Sequence, residues 1–210
     1  MPLRILLADD HQIVRQGLRS LLEQEGFLVV AEATNGQEAI VEAQALNPDV
    51  AILDLVMPLL NGIDAGRKII ETCPRTAVIL LTMHGEEHQI SAALHAGIRG
   101  YLVKTQAAED LVHAIREVAR GETYMSPGVS RVVVESYLSG RVRLTDPLTP
   151  RERQVLQQVA EGRSSKEIAS QMGLTAKTAE SYRARIMDKL NIHDTAGLVR
   201  YAIRQGLVQA

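Results

Sequence analysis

Between Val50 and Asp64 the chain reads VAILDLVMPLLNGID. The run Val50-Ala51-Ile52-Leu53 lacks polar alternation, the pattern of a strand covered on both faces as in a parallel sheet. It stops on Asp54. A carboxylate at the carboxyl end of such a strand stands in the crevice where open α/β sheets bind ligands. Pro58 and Asn61-Gly62 then turn the chain toward a helix. Taken alone, Asp54 also reads as a helix cap or a strand-ending turn residue, so its meaning depends on where the other strands end.

On either side of this stretch, strand and helix patterns alternate. Leu3–Ala8 reads as a strand ending on Asp9-Asp10, and His11–Glu25 as a helix with Ile13, Val14, Leu18, Leu21 and Leu22 on one face. Phe27–Ala33 is the second strand, and a capped helix runs from Asn35-Gly36 to Leu46. Beyond Asp54, a helix over about 62–72 precedes strand Ala77–Leu81, which ends on Thr82. A helix over Glu86–Ala96 leads to strand Gly100–Val103, ending on Lys104, and then to helix Ala107–Arg120. Five strands alternating with five helices predict a doubly wound, five-stranded parallel sheet, flavodoxin-like, over residues 1–121. The strand ends of a parallel sheet share one edge, so Asp9, Asp10, Asp54, Thr82 and Lys104 are expected to converge.

Residues 122–147 break the alternation and read as a linker containing a short helix over Pro127–Leu138. From 148 to 210 the pattern is purely helical. Thr149-Pro150-Arg151-Glu152 combines an N-cap threonine, proline at the first helical position and glutamate at the third. Further helices are expected over about 149–160, 165–172, 175–190 and 195–205. The predicted fold is therefore α/β plus all-α, the second part a four-helix domain.

The chain has 210 residues, 46% hydrophobic and 23% charged, which suits one or two globular domains. The single Cys73 excludes an internal disulfide and a cysteine zinc site, and fits a reducing cytoplasm. With no signal-peptide pattern and no membrane-length apolar run, a cytoplasmic location without membrane contact is expected. Charge divides unevenly: residues 1–140 carry 11 Lys+Arg against 18 Asp+Glu, and 141–210 carry 12 against 7. The basic second part suits a polyanion, though a solvated charged face is the plainer reading.

Three clustered carboxylates repel one another and raise at least one pKa unless a cation is present. Mg2+ suits such oxygen ligands, keeping waters and substrate phosphate oxygens in its shell. Asp54 then has the means to act as a nucleophile and form an aspartyl phosphate, with the Lys104 ammonium and the Thr82 hydroxyl on the phosphoryl oxygens. This order of acidic pair, Asp, Thr and Lys resembles the receiver domain of bacterial two-component response regulators. The resemblance implies that Asp9, Asp10, Asp54 and the Val56 backbone carbonyl hold the metal. It also implies that Asp54 accepts phosphate from a sensor histidine kinase. Thr82 and Tyr101 resemble the switch pair: Thr82 moves to the phosphoryl group and the tyrosine ring turns inward. Tyr101 reads equally as an ordinary strand aromatic. Val56 and His84 stand where the family tunes acyl-phosphate hydrolysis, although His84 also reads as a plain loop histidine. Thr105 replaces the proline often found after the lysine. An Asp-nucleophile phosphatase is disfavoured, because Val56 stands where that chemistry places a second carboxylate.

In the second part, Ser165–Leu190 has the spacing of a helix-turn-helix. Ala179, Tyr182, Ile186 and Leu190 form an inward stripe, flanked by Arg183 and Lys189, with Lys177, Glu180, Ser181, Ala184, Arg185 and Asp188 elsewhere. A plain four-helix packing module fits the same pattern. Together with Lys166-Glu167-Ile168-Ala169 and Lys177–Arg183, the Leu148–Glu152 motif resembles the LuxR-type helix-turn-helix. Both halves joined resemble a NarL/FixJ-subfamily response regulator. That resemblance places Glu180, Ser181 and Ala184 toward bases and Lys177, Thr178 and Arg183 toward the DNA backbone, with Arg185 and Lys189 beside them. It implies a homodimer on promoter DNA through Thr195–Gln205, whose Leu198, Tyr201 and Ala202 read equally as core, and RNA polymerase as a further contact. The expected function is a phosphorylation-controlled transcription regulator; the alternative is a DNA-binding regulator controlled by partner proteins without phosphorylation.

Overall fold

The apolar runs form the strands and their side chains alternate between two helical layers. The structure, a computed structural model, describes residues 1–83, 86–104, 107–138 and 147–208. His84 and Thr105 lie outside these, as does the part of the expected linker from 139 to 146. The chain divides into two compact units, Met1–Leu144 and Thr145–Ala210.

In the first unit the elements follow in order as β1 (Arg4–Ala8), α1 (Gln12–Gln24), β2 (Leu28–Ala33), α2 (Gly36–Leu46), β3 (Val50–Asp54), α3 (Gly62–Thr72), β4 (Ala77–Thr82), α4 (Glu87–His95), β5 (Gly100–Val103), α5 (Ala107–Ala119), β6 (Tyr124–Met125) and α6 (Pro127–Leu138). The sheet order is β2-β1-β3-β4-β5-β6, and every neighbouring pair is parallel. Leu6, Ala8, Ala51, Leu53, Val78, Leu80 and Tyr101 pack on one face with Ala39 and Ala43 of α2, Ile69 of α3 and Ile90 of α4. Ile5, Leu7, Val50, Ile52, Ile79, Leu81 and Leu102 pack on the other with Leu22 of α1 and Leu111 and Ile115 of α5. Successive strand residues point to opposite faces, which is why a run apolar at every position is needed to fill both layers.

The expected five strands are joined by a sixth. Residues 122–147, expected as a linker with a short helix over Pro127–Leu138, carry α6 at those bounds and, before it, β6. Tyr124 and Met125 pair with Gly100 and Tyr101, and the Ser126 amide donates to the Tyr101 carbonyl at 3.1 Å. Val129 of α6 is fully buried in the same apolar cluster as Tyr101, with Met125, Val132 and Val133 packed against it. The outer edge of β5 is thereby covered at Gly100 and Tyr101.

The second unit contains α7 (Pro150–Ala160), α8 (Ser165–Met172), α9 (Ala176–Leu190) and α10 (Thr195–Arg204). Reciprocal capping boxes start α7 (Thr149 with Glu152) and α8 (Ser164 with Glu167). Gly173, at φ +63°, closes α8 in the left-handed region that a tight inter-helix turn requires. Val155, Leu156, Ile168, Ala179, Ile186, Leu198 and Ala202 are buried in one core, with Tyr182, Leu190 and Tyr201 partly buried against it. Leu198 and Ala202 of α10 are thus core residues. No helix among the described residues is long and apolar enough to cross a membrane.

Candidate functional site

The register of the sheet assembles the first site. Ala8 is level with Leu53, Asp54 with Leu81, and Thr82 with Val103, so the residues ending these strands stand side by side. They do so where the chain order reverses between β1 and β3, the place at which a doubly wound sheet opens a crevice. Asn61 caps α3 by accepting from the Asp64 amide at 3.0 Å, and the Gly62 amide donates to the Leu55 carbonyl at 2.9 Å. A Cβ at Gly62 would fall 2.2 Å from the Asp54 carbonyl oxygen, so the loop closes this tightly behind Asp54 only with glycine there. Val56 lies in this loop, its side chain half-buried against the core.

Lys104 links the carboxylates. Its Nζ is 2.9 Å from Asp54 Oδ2 and 2.8 Å from Asp9 Oδ2. Asp9 is fully buried, and its Oδ1 accepts the His11 amide at 2.8 Å. His11 Nδ1 lies 2.9 Å from Asp10 Oδ1. Ligand-capable atoms of Asp9, Asp10, His11 and Asp54 all lie within 4.8 Å of one another. Among the expected residues, Asp9, Asp10, Asp54 and Lys104 therefore meet in one place. Thr82 and Tyr101 are both buried, Thr82 at the end of β4 and Tyr101 one strand further out. In sequence His11 reads only as the start of a helix; its position directly after an acidic pair is the signal that places it in the cluster.

Burial, opposed by the Lys104 charge and aided by Asp9 and Asp10, pushes the Asp54 carboxyl up to about 6. Burial also works against the Lys104 ammonium, but Asp54 and Asp9 outweigh it and hold its pKa above the ordinary value. The Tyr101 phenol is raised by burial, with the Thr82 side chain acting in the opposite direction. One ammonium thus faces three carboxylates, and the negative charge is under-compensated. Hard oxygen donors with surplus negative charge fit a small divalent cation such as Mg2+.

The second site is a helix face. Lys177, Glu180, Ser181, Ala184, Arg185 and Asp188 of α9 are exposed, while Thr178 and Arg183 are half-buried. Ser181 Oγ donates to the Lys177 carbonyl at 2.9 Å, and the Arg185 guanidinium lies 5.8 Å from the centre of the Tyr182 ring. Two of the basic residues expected at the DNA reach beyond α9 to other parts of the unit. Arg183 Nη2 donates to Thr195 Oγ1 at 2.5 Å, tying α9 to the start of α10. Lys189 Nζ donates at 2.7 Å to Glu152, the buried capping carboxylate of α7, so its position is explained by packing and not by the outward face.

Fold and site together define a signalling receiver attached to a helix-turn-helix. Residues 5–116 match the response regulator receiver domain, and residues 146–202 match the bacterial regulatory proteins of the luxR family. The chain belongs to the response regulators that join these two domains. It is 39% identical to the transcriptional regulatory protein MctR of Rhizobium johnstonii, over 98% of this chain and 95% of that one. It is 36% identical to the response regulator protein VraR of Staphylococcus aureus over 100% of both chains. Among solved structures, RcsB of Salmonella enterica serovar Typhimurium, bound to a promoter in the presence of phosphomimetic BeF3-, is 33% identical with a TM-score of 0.61, over 96% of this chain and 98% of that one. RcsB dimers have also been solved bound to DNA.

Proposed function

We propose that this response regulator is switched by phosphorylation of Asp54 and reads promoter DNA with the exposed face of α9. The observation that carries the proposal is the Lys104 bridge between Asp9 and Asp54 at the rim of the sheet. In the transfer, an Asp54 oxygen attacks the phosphorus held by a kinase histidine, the N–P bond breaks, and the histidine nitrogen keeps the bonding pair. Lys104 then holds one phosphoryl oxygen, and the Thr82 hydroxyl donates to another. Asp9, Asp10, Asp54 and the Val56 carbonyl would hold Mg2+, which neutralises phosphoryl charge when bound. Thr82 and Tyr101 form the switch pair that carries the change to the surface of α4, β5 and α5.

On the DNA side, Lys177, Thr178, Arg183 and Arg185 meet phosphates, while Glu180, Ser181 and Ala184 face base edges. We place the boundary between the working parts beyond α6, with a cytoplasmic dimer on promoter DNA and RNA polymerase as its downstream partner. The DNA-bound RcsB dimers support the dimer. The protein is a regulator and not a turnover phosphatase, a reading supported by Val56 at the position where a second carboxylate would serve.

Intact-mass measurement after incubation with acetyl phosphate and Mg2+ tests the switch. One phosphoryl mass on the wild type and none on Asp54→Asn are expected; an unmodified wild type rejects it. The same measurement decides against the second reading, a regulator set by partner proteins without phosphorylation.

A further inference from the structure

Asp9 is held from every side, and one of its restraints has no part in the chemistry above. Its amide donates to the Ala33 carbonyl at 3.2 Å, and its carboxylate takes the His11 amide and Lys104. Its carbonyl accepts Arg15 Nη1 at 2.7 Å. Arg15 lies in the first turns of α1, and its Nε donates at 3.0 Å to Glu32 on β2. The side chain is 14% exposed, and its two bonds tie the acidic turn to β2. Glu32 is itself held by Arg19, whose Nη1 lies 2.6 Å from Oε1 and whose Nε bonds Glu23 at 2.8 Å.

A guanidinium beside a cation site is unfavourable by charge alone, since it repels the ion that the carboxylates attract. Its geometry gives it a different use. The fork fixes one backbone carbonyl and one carboxylate at once, a task for which a lysine point charge is no substitute. We propose that Arg15, braced by Glu32, is a positioning residue that holds the Asp9–Asp10 turn in the geometry that binds the divalent cation at the phosphoacceptor site. The inference rests on the metal-site reading given above. Outer partners that orient metal ligands typically account for about 10–100-fold in affinity.

Charge and position predict opposite signs, which makes the test decisive. MgCl2 is titrated calorimetrically into the unphosphorylated full chain, with circular dichroism and a thermal melt confirming that each variant is folded. If Arg15 acts only through its field, Arg15→Gln tightens Mg2+ binding, Glu32→Ala weakens it, and the two add. If it positions the turn, both weaken binding by about tenfold or more and the double variant is no worse than either alone. Arg15→Lys, which keeps the charge, fails to restore affinity. Should Arg15→Gln not fold, Glu32→Ala removes the brace alone and carries the test. Wild-type affinity in Arg15→Lys or tighter binding in Arg15→Gln overturns the positioning role and leaves the metal site standing. A wild type that takes up no Mg2+ overturns both.

Discussion

Asp54 is a charged group placed where ionisation is costly, and the cost has a pH signature. Its carboxyl is raised from 3.8 to about 6, so the folded chain retains this proton over a range in which the unfolded chain has released it. Stability therefore falls as pH rises from about 4 to about 6, and the penalty is fully present above that. Asp54→Asn removes it. In Mg2+-free buffer at pH 7.5 the first unit of the variant should be more stable by about 1–3 kcal/mol, the lower end because Lys104 loses one of its partners. The gain should vanish by pH 4, and thermal unfolding across pH measures both. The residues of this site were legible because four strands each ended on a chemically distinctive group. Arg15 and Glu32 were not, since a bond across 17 positions has no local pattern. Gly62 was readable as a turn residue, but not its contact with the Asp54 carbonyl, which exists only once β3 and α3 are packed.

At the scale of elements, α9 separates residues that look alike in sequence. Lys177 is exposed at the start of the helix, whereas Lys189 neutralises the capping carboxylate of α7 from 37 residues away. Lys177→Ala should weaken binding to all DNA sequences and lower the slope of log affinity against log salt by about 1. Lys189→Ala should leave that slope unchanged and destabilise the second unit by about 1 kcal/mol, because Glu152 keeps its bonds to Thr149 but loses its half-exposed cation. Binding titrations at several salt concentrations, paired with thermal melts, distinguish the two. Helix periodicity identified the inward stripe but could not assign the residues on its margins, whose role depends on which helix lies opposite. The two residues of β6 were too few to show a period at all, and they became a strand only because β5 offered an unpaired edge. Val129→Ala should lower the stability of the first unit by about 1–2 kcal/mol in a thermal melt, since its side chain is fully buried in the cluster that contains Tyr101.

Taken whole, the molecule pairs an acidic unit with a basic one, and the link between them is thermodynamic. Allosteric couplings typically amount to about 1–3 kcal/mol, about 5–150-fold in affinity. Acetyl phosphate with Mg2+ should therefore shift the DNA affinity of the wild type within that range and leave Asp54→Asn unmoved, as read from promoter titrations at fixed salt. The division into two folding patterns was plain in the sequence, because hydrophobic periodicity changes from alternating strands and helices to helices alone.

The strap that β6 lays along β5 has a practical corollary for anyone who isolates the receiver. A fragment trimmed to the matched motif, ending near residue 116, or to the end of the alternating pattern at Gly121, discards the strap. It bares the backbone edge at Gly100 and Tyr101 and uncovers the ring of Tyr101. Raw sheet margins recruit whatever strand they meet, most readily another copy. Such a fragment should run as a self-associated species in size-exclusion chromatography whether or not Asp54 is phosphorylated, while one extended through Leu138 should not. Dimers observed with the shorter piece would then report where the gene was cut and say nothing about the signal.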